Sequence, residues 1–412
     1  MRQNSITVIT PILQDKAADL KFQLSGIYRD INEGRQKELA ELNTIHFARW
    51  VIIDDRPDTT PKLVLIVDFD GSKSDLWEGL CSDHKTLFDR IYEHCEGYPS
   101  HHHRTPESRK AYFSQYIVKD TAVYVGAPKR TLPQILKERD LRNFIRNFVD
   151  SKSWKGIPAQ KIHDEIREAV LAQSGFEWVK EPVELPSINW LGMSLLVLLL
   201  LLFLPLILVW ILFVHFFYER KDINFTLKRS DLEITELNTF EKSEDFKHQN
   251  QFSQLVSMKP GKVRLITIQA LFIFANALIK FFFVEGKLMG IPTIHFARWV
   301  MFDDNKRILF FSNFDGSWQQ YLSDFIDKSG WGLTGIFSNT AVFPKTNFLL
   351  TGGAYDEEHF LAWSRNSEVK TNVWYSAYPD LSIKNVNNNS LIRSQLMGPL
   401  SERDAVKFLK LI

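Results

Sequence analysis

The run from Leu191 to Phe217, LGMSLLVLLLLLFLPLILVWILFVHFF, constrains this chain more than any other stretch. Nearly every residue is apolar, and roughly 20 such residues in a helix suffice to cross the hydrocarbon core of a bilayer. The run lies too far from the N-terminus for a signal peptide, and no polar face interrupts it as one would in an amphipathic surface helix. It reads as a membrane segment, with the lipid bilayer as partner. The other reading is a core helix of a large soluble domain.

Similar sequence recurs on both sides of that run. Thr44 to Asp55 reads TIHFARWVIIDD and Thr293 to Asp304 reads TIHFARWVMFDD, ten identities in twelve positions. Each copy leads into a second strand-like run ending in the same triplet, LVLIVDFDG at Leu63 to Gly71 and ILFFSNFDG at Ile308 to Gly316. Duplication of the unit follows. In the first copy Ile6 to Ile12 is β-rich, and Leu20, Leu24, Ile27 and Ile31 make Asp15 to Ile31 an amphipathic helix. Thr44 to Asp55 and Lys62 to Asp70 form a hairpin. Ser72 then starts a helix with an S-x-x-D signature and the stripe Leu76, Leu80, Leu87 and Ile91. Thr121 to Val125 is the last strand and Leu132 to Val149 the last helix. The order β-α-β-β-α-β is that of a ferredoxin-like unit. The second copy repeats it with Gln251 to Met258, Leu265 to Val284, the hairpin, Ser317 to Ile326, Asn372 to Ala377 and Ser401 to Ile412.

The expected fold class is therefore α+β: two ferredoxin-like repeats, 1–150 and 251–412, forming an α+β barrel. Linkers 151–190 and 218–250 flank the membrane segment 191–217. Leu265 to Val284 is apolar almost all round, which makes it either a second membrane or interfacial segment or a helix buried on both faces; Asn276 and Lys280 favour a buried or membrane-resting helix. Arg220, Lys221, Lys228 and Arg229 against Lys180 place the C-terminal flank on the cytoplasmic side. A single span would part the two copies. Either a re-entrant hairpin turning at Pro205 or a return crossing by Leu265 to Val284 would keep both soluble repeats facing the cytoplasm.

The formal net charge of +1 supplies no field to steer nucleic acid. Cys81 and Cys95, about four turns apart on one expected helix, cannot pair and read as free thiols of a reducing compartment. His101, His102 and His103, with His94 nearby, lack ligand spacing and a carboxylate partner, so no metal is expected there. No G-x-S-x-G, P-loop, H-E-x-x-H or G-x-G-x-x-G stands in a fitting context.

Alternation along the strands puts His46, Ala48 and Trp50 on one face and Phe47, Arg49 and Val51 on the other. Tight hairpins would set Arg49 opposite Asp68, and Arg298 opposite Asn313. The first pair neutralises itself, whereas Arg298 needs the diagonal Asp315 or a ligand. Arg298, Asp315, His295, Asn313, Arg49, Asp68 and His46 are thus the candidate site residues. The plain alternative makes His46 and His295 core histidines and both arginines edge or solvent groups.

Two such units commonly pack sheet against sheet. In element order, and in the D-G turn after the second hairpin strand, the chain resembles the dimeric α+β barrel superfamily of dye-decolorising peroxidases and chlorite dismutases. That resemblance implies haem, with Asp315 and Arg298 as the distal pair handling peroxide and His295 or His359 as iron ligand. The motif G-x-x-D-G is not kept, since Val67 and Ser312 stand where its first Gly belongs. Three functions are expected from these readings. The first is a membrane-attached protein holding a small or lipid-derived hydrophobic ligand near Arg298; the others are a haem peroxidase and a structural membrane protein without a site.

Overall fold

The computed structural model describes residues 3–56, 58–82, 86–232, 240 and 248–412. The chain is an α+β protein with antiparallel sheets and one long apolar helix. In the first half, β1 (Gln3–Pro11) leads to α1 (Ala17–Asn32) and the hairpin of β2 (Ile45–Ile53) and β3 (Lys62–Asp70). Next come α2 (Lys73–Leu80), α3 (Leu87–Tyr92), α4 (Pro106–Gln115), β4 (Ile117–Val118), β5 (Ala122–Val125) and α5 (Leu132–Asp150). α6 (Ala159–Ala172) and α7 (Trp190–Phe217) separate the halves, so the stretch 151–190 contains a helix of its own. The second half runs β6 (Gln249–Ser257), α8 (Lys262–Phe281), β7 (Ile294–Phe302), β8 (Arg307–Asp315), α9 (Trp318–Phe337) and α10 (Glu357–Asn366). It ends in β9 (Thr371–Ser376), α11 (Ile383–Leu396) and α12 (Glu402–Leu409).

Ser72 forms the expected capping box with Asp75, each side chain satisfying the other residue's backbone N–H. The stripe behind it is buried as expected but is divided between α2 and α3. Cys81 closes α2 and Cys95 lies beyond α3, so the two thiols do not share a helix; both are buried and free.

One sheet has the order β9-β2-β3-β1-β4 and the other β5-β7-β8-β6. Each half thus keeps its first three strands together and sends its last strand into the other half's sheet. The segments that do this bridge the two sheets. Tyr116 O accepts from Ile9 N of β1 and Val118 pairs with Thr7, after which β5 pairs with β7. In the same way Ser367 O accepts from Leu255 N of β6 and Val369 N donates to Ser253 O, after which β9 pairs with β2. Sequence periodicity had assigned each last strand to its own unit. Strand pattern carries no label for the sheet it joins, so the exchange is a tertiary result.

The sheets pack face to face through Val51, Ile66 and Val64 from one and Val300, Phe311 and Leu309 from the other. Their outer faces are covered by helices: Leu20, Leu24 and Phe88 lie against Trp50 and Leu65, and Ile268, Phe272 and Phe325 against Trp299 and Phe310. α5, α6, α11 and α12 form a further cluster around Ile145, Ile166, Ile392 and Phe408.

α7 is one continuous helix through Pro205, so of the two expected arrangements the re-entrant turn at Pro205 does not occur. Proline removes one backbone donor, and here the loss does not end the helix. Both ends of α7 are tied to the same body. At the start, Asn189 caps Gly192 N and donates its own N–H to Phe281 O. At the finish, His215 Nδ1 lies 2.6 Å from Glu219, whose carboxylate also accepts from Leu349 N and Thr346. Between these points α7 runs antiparallel to α8, with Trp210 Nε1 donating to Thr267 Oγ1 at 3.0 Å. A Cβ at Gly192 would come within 2.8 Å of the Phe281 ring, so glycine sets that close approach. Two helices, Trp190–Lys221 and Lys262–Phe281, are long and apolar enough to cross a membrane.

Candidate functional site

The seven candidate residues gather between the sheets, in a different pairing from the expected one. A register shift between Ile45 and Phe47 makes His46 the extra residue of a bulge, and the shift between Ile294 and Phe296 does the same for His295. Past the bulge Phe47, not Arg49, stands opposite Asp68, and Phe296 opposite Asn313; Arg49 faces Ile66 and Arg298 faces Phe311. The offset at the arginines comes from the turn: the strands end at Ile53 and Phe302, two residues short of a closure right after Asp55 and Asp304, so Arg49 and Arg298 each stand two residues from the expected partner. The bulge also turns two successive side chains inward, which breaks the expected alternation. His46 rests on Phe296 (ring centroids 5.5 Å apart), and Phe47 on His295 (5.3 Å).

Each arginine reaches across to the opposite half. Arg298 is bonded to Asp68 of the first half and donates to Ile6 O at 3.0 Å and Thr7 Oγ1 at 3.3 Å. Arg49 donates to Phe252 O and Ser312 O, both at 2.8 Å, to Ser253 Oγ at 3.1 Å and to Asn313 Oδ1. Asn313 Nδ2 then donates to Asp68 Oδ2 at 3.2 Å, which completes a chain from Arg49 through Asn313 and Asp68 to Arg298. All four side chains are at most 2% exposed. The asymmetry is the reverse of the expected one: Arg298 has the carboxylate, and Arg49 has an amide where its counterpart has an acid. Burial brings the Arg49 guanidinium down to about 9, with Asp68 opposing that shift and Arg298 adding to it.

The histidines belong to two matching caps. His46 Nε2 lies 3.0 Å from Asp70 Oδ1, and Asp70 Oδ2 accepts from Leu132 N at the start of α5. His295 Nε2 lies 2.8 Å from Asp315 Oδ1, and Asp315 Oδ2 accepts from Ile383 N at the start of α11. Each carboxylate therefore sits at a helix N-terminus, where exposed N–H groups and the helix dipole favour negative charge. Sequence reading missed Tyr378, whose hydroxyl is 3.2 Å from His46 Nδ1 and whose ring also contacts Phe47 and His295. It also missed Trp374, which donates to Asn313 Oδ1 at 3.0 Å. The alternation NVWYSAY was the signal, but Trp374 arrives on the exchanged strand and Tyr378 just past its end. Burial raises the Tyr378 phenol well above its ordinary value, so it stays a neutral hydrogen-bonding group.

Arg298 and Asp315, the pair implied for peroxide chemistry, are bound to different partners. His295 is fully buried with Nε2 engaged by Asp315, and His359 Nδ1 lies 2.8 Å from both Asp356 oxygens on partly exposed α10. These residues do not fit a haem: no imidazole here opens onto a space beside Arg298. His101, His102 and His103 form an exposed single turn, and among the described residues no group of His, Cys, Asp and Glu could hold a metal ion.

Open space lies elsewhere. A groove of about 620 Å³ runs between α7, α8 and α9, lined by Phe203, Trp210, Phe274, Leu278, Leu333 and Ile336 among others, and it is apolar almost throughout. A cleft of about 1310 Å³ lies at the seam where β5 joins the second sheet, with both charged and apolar walls. None of the seven candidate residues lines either one. No protein-family model, curated protein or solved structure matches the chain.

Proposed function

We propose that the chain is a membrane-attached protein whose two ferredoxin-like halves make one α+β barrel on a single, cytoplasmic face of a bilayer, and that it binds a lipid-derived ligand there. The carrying observation is α7: both its ends are held by one body, while Leu191, Leu198, Leu202, Leu206 and Val209 are 62–83% exposed. An apolar surface of that extent is not left to water. A helix of 28 residues is about 42 Å long. Tethered at both ends, it lies in the plane of the interface rather than across it. Strand exchange supports the same arrangement, because halves that share sheets belong on one side. With α7 in plane, flanking lysines and arginines no longer orient a span, and the buried free thiols carry the cytoplasmic assignment.

The ligand belongs in the groove beneath α7, not beside Arg298. The polar groups between the sheets are spent on one another, whereas the groove has the apolar lining of a hydrophobic-ligand site. The test is sidedness. Full-length Glu107→Cys and Glu357→Cys variants, one exposed position in each half, are placed in sealed vesicles and treated with an impermeant maleimide. Both label from the same side if α7 lies in plane. Labelling from opposite sides, or a protein that stays in water without detergent, overturns the reading.

A further inference from the structure

The cleft at the seam and the groove beneath α7 have two residues in common, Ile279 and Phe283 at the end of α8. α8 is fixed there by Asn276, whose Nδ2 donates to Thr121 O of the seam at 2.7 Å. A molecule passing over Ile279 and Phe283 would therefore meet two environments in turn. The groove side is apolar. The cleft side carries six cationic side chains, Lys73, Lys119, Lys129, Arg130, Lys280 and Arg393, against the carboxylates Asp120, Glu181 and Glu184. In a chain of formal net charge +1 this is a local excess of positive charge.

Half of those cations already have partners. Lys129 is paired with Glu184 at 3.1 Å, Arg130 donates to Ser390 Oγ and Glu184 O, and Arg393 faces Glu138. Lys73, Lys119 and Lys280 are exposed, and among the described residues no carboxylate pairs with them; Lys280 lies only over the Phe281 ring, 5.5 Å from its centroid. Three uncompensated lysines beside an apolar groove, both next to a helix resting on a bilayer, complement an anionic amphiphile.

We infer that cleft and groove form one site for an anionic diacyl phospholipid, its phosphate-bearing head against Lys73, Lys119 and Lys280 and an acyl chain over Ile279 and Phe283 into the groove. The inference rests on the membrane reading above and adds to it the class of ligand. Lys280 and Phe283 occupy the junction, so head and chain are recognised by adjoining turns of α8.

The experiment uses full-length protein, wild type and two variants, with vesicles of phosphatidylcholine alone or of equimolar phosphatidylcholine and phosphatidylglycerol. One variant, K73E/K119E/K280E, reverses the head site, and the other, Ala275→Trp, fills the groove. Flotation reads attachment, and native mass spectrometry after a detergent wash reads retained lipid. Wild type is expected to prefer the anionic vesicles and to retain phosphatidylglycerol. The triple variant should lose about tenfold or more of that preference while still attaching to phosphatidylcholine, since each lysine near an anionic surface adds to the attraction. Ala275→Trp should keep the charge preference but retain no lipid. Excess inorganic phosphate should leave retention unchanged; displacement by it would make the site one for free phosphate and overturn the lipid assignment. Attachment to both vesicle types alike, with no effect of the triple variant, overturns this inference alone. Attachment to neither defeats the membrane reading itself. Circular dichroism and the thermal midpoint check that the triple variant, altered only at exposed positions, is folded.

Discussion

Between the sheets the two halves carry the same arrangement of polar residues and differ in one charge. Both hairpins bulge at the histidine, both place a carboxylate at a helix N-terminus, and both send an arginine into the other half. Yet the position that is Asp68 in the first half is Asn313 in the second. The backbone geometry is the same in both, while the two buried guanidinium groups are linked through the single Asp68 carboxylate, with Asp120 3.7 Å from Arg298 at the edge. That asymmetry makes the halves non-interchangeable, because Arg298 depends on the first half for its counter-charge and Arg49 has only neutral acceptors from the second.

The comparison breaks hardest at Asp68. Asp68→Asn would take the carboxylate out of the chain that links Arg49 and Arg298, leaving Arg298 the more distant Asp120 at 3.7 Å, and removing one partner of a buried pair costs about 3–5 kcal/mol. Urea unfolding in detergent should show a loss of that size. Asn313→Asp alone adds a carboxylate for Arg49 but loses the amide donor to Asp68 and brings two acids together, so its effect should be far smaller. The double swap D68N/N313D should recover more than half of the Asp68→Asn loss, because the pair is re-formed with Arg49. If the double variant is as unstable as D68N, the positions are not equivalent and the symmetry argument fails.

The caps sharpen the comparison at lower amplitude. Asp70→Ala and Asp315→Ala each remove the acceptor of a helix-start N–H together with the histidine's partner, a loss of about 1–2 kcal/mol. The Asp70 side chain is 1% exposed and that of Asp315 11%, so water can partly replace Asp315 and the first-half variant should lose more. Equal thermal shifts would mean that burial does not distinguish the two caps.

Much of this was legible in the chain. Hairpins, the capping box, most helices and the set of polar residues between the sheets all follow from periodicity and from the repeated TIHFARWV. Their pairing did not follow, for two physical reasons. The hairpin turn takes up two more residues of each strand than a tight closure would, with no mark in the sequence, so Arg49 faces Ile66 where Asp68 was expected. Face-to-face packing of the sheets brings Arg298 to Asp68, and the exchanged strand brings Trp374 to Asn313, contacts 230 and 61 residues apart in the chain. Pro205 suggested a turn as one of two arrangements, yet the helix continues through it, because proline removes one backbone donor and need not end a long helix.

The smallest expected difference separates the halves chemically, because only the first contains cysteine. Burial pushes both thiols, Cys81 and Cys95, up to about 12 from an ordinary value near 9. The unfolded chain therefore releases these protons first as pH rises. Stability falls as pH climbs from about 9 toward about 12, and below about 9 the thiols contribute nothing to the slope. At pH 10 the loss is on the order of 1 kcal/mol for each thiol. C81A/C95A should flatten the decline in urea midpoint between pH 9 and pH 10 relative to wild type, whatever the cavities cost at neutral pH. Native protein should also resist iodoacetamide at pH 8 until the first half opens. Rapid alkylation of folded protein would show that the first half exposes its helical layer, and the contrast drawn between the halves would then have to include their dynamics as well as their charge.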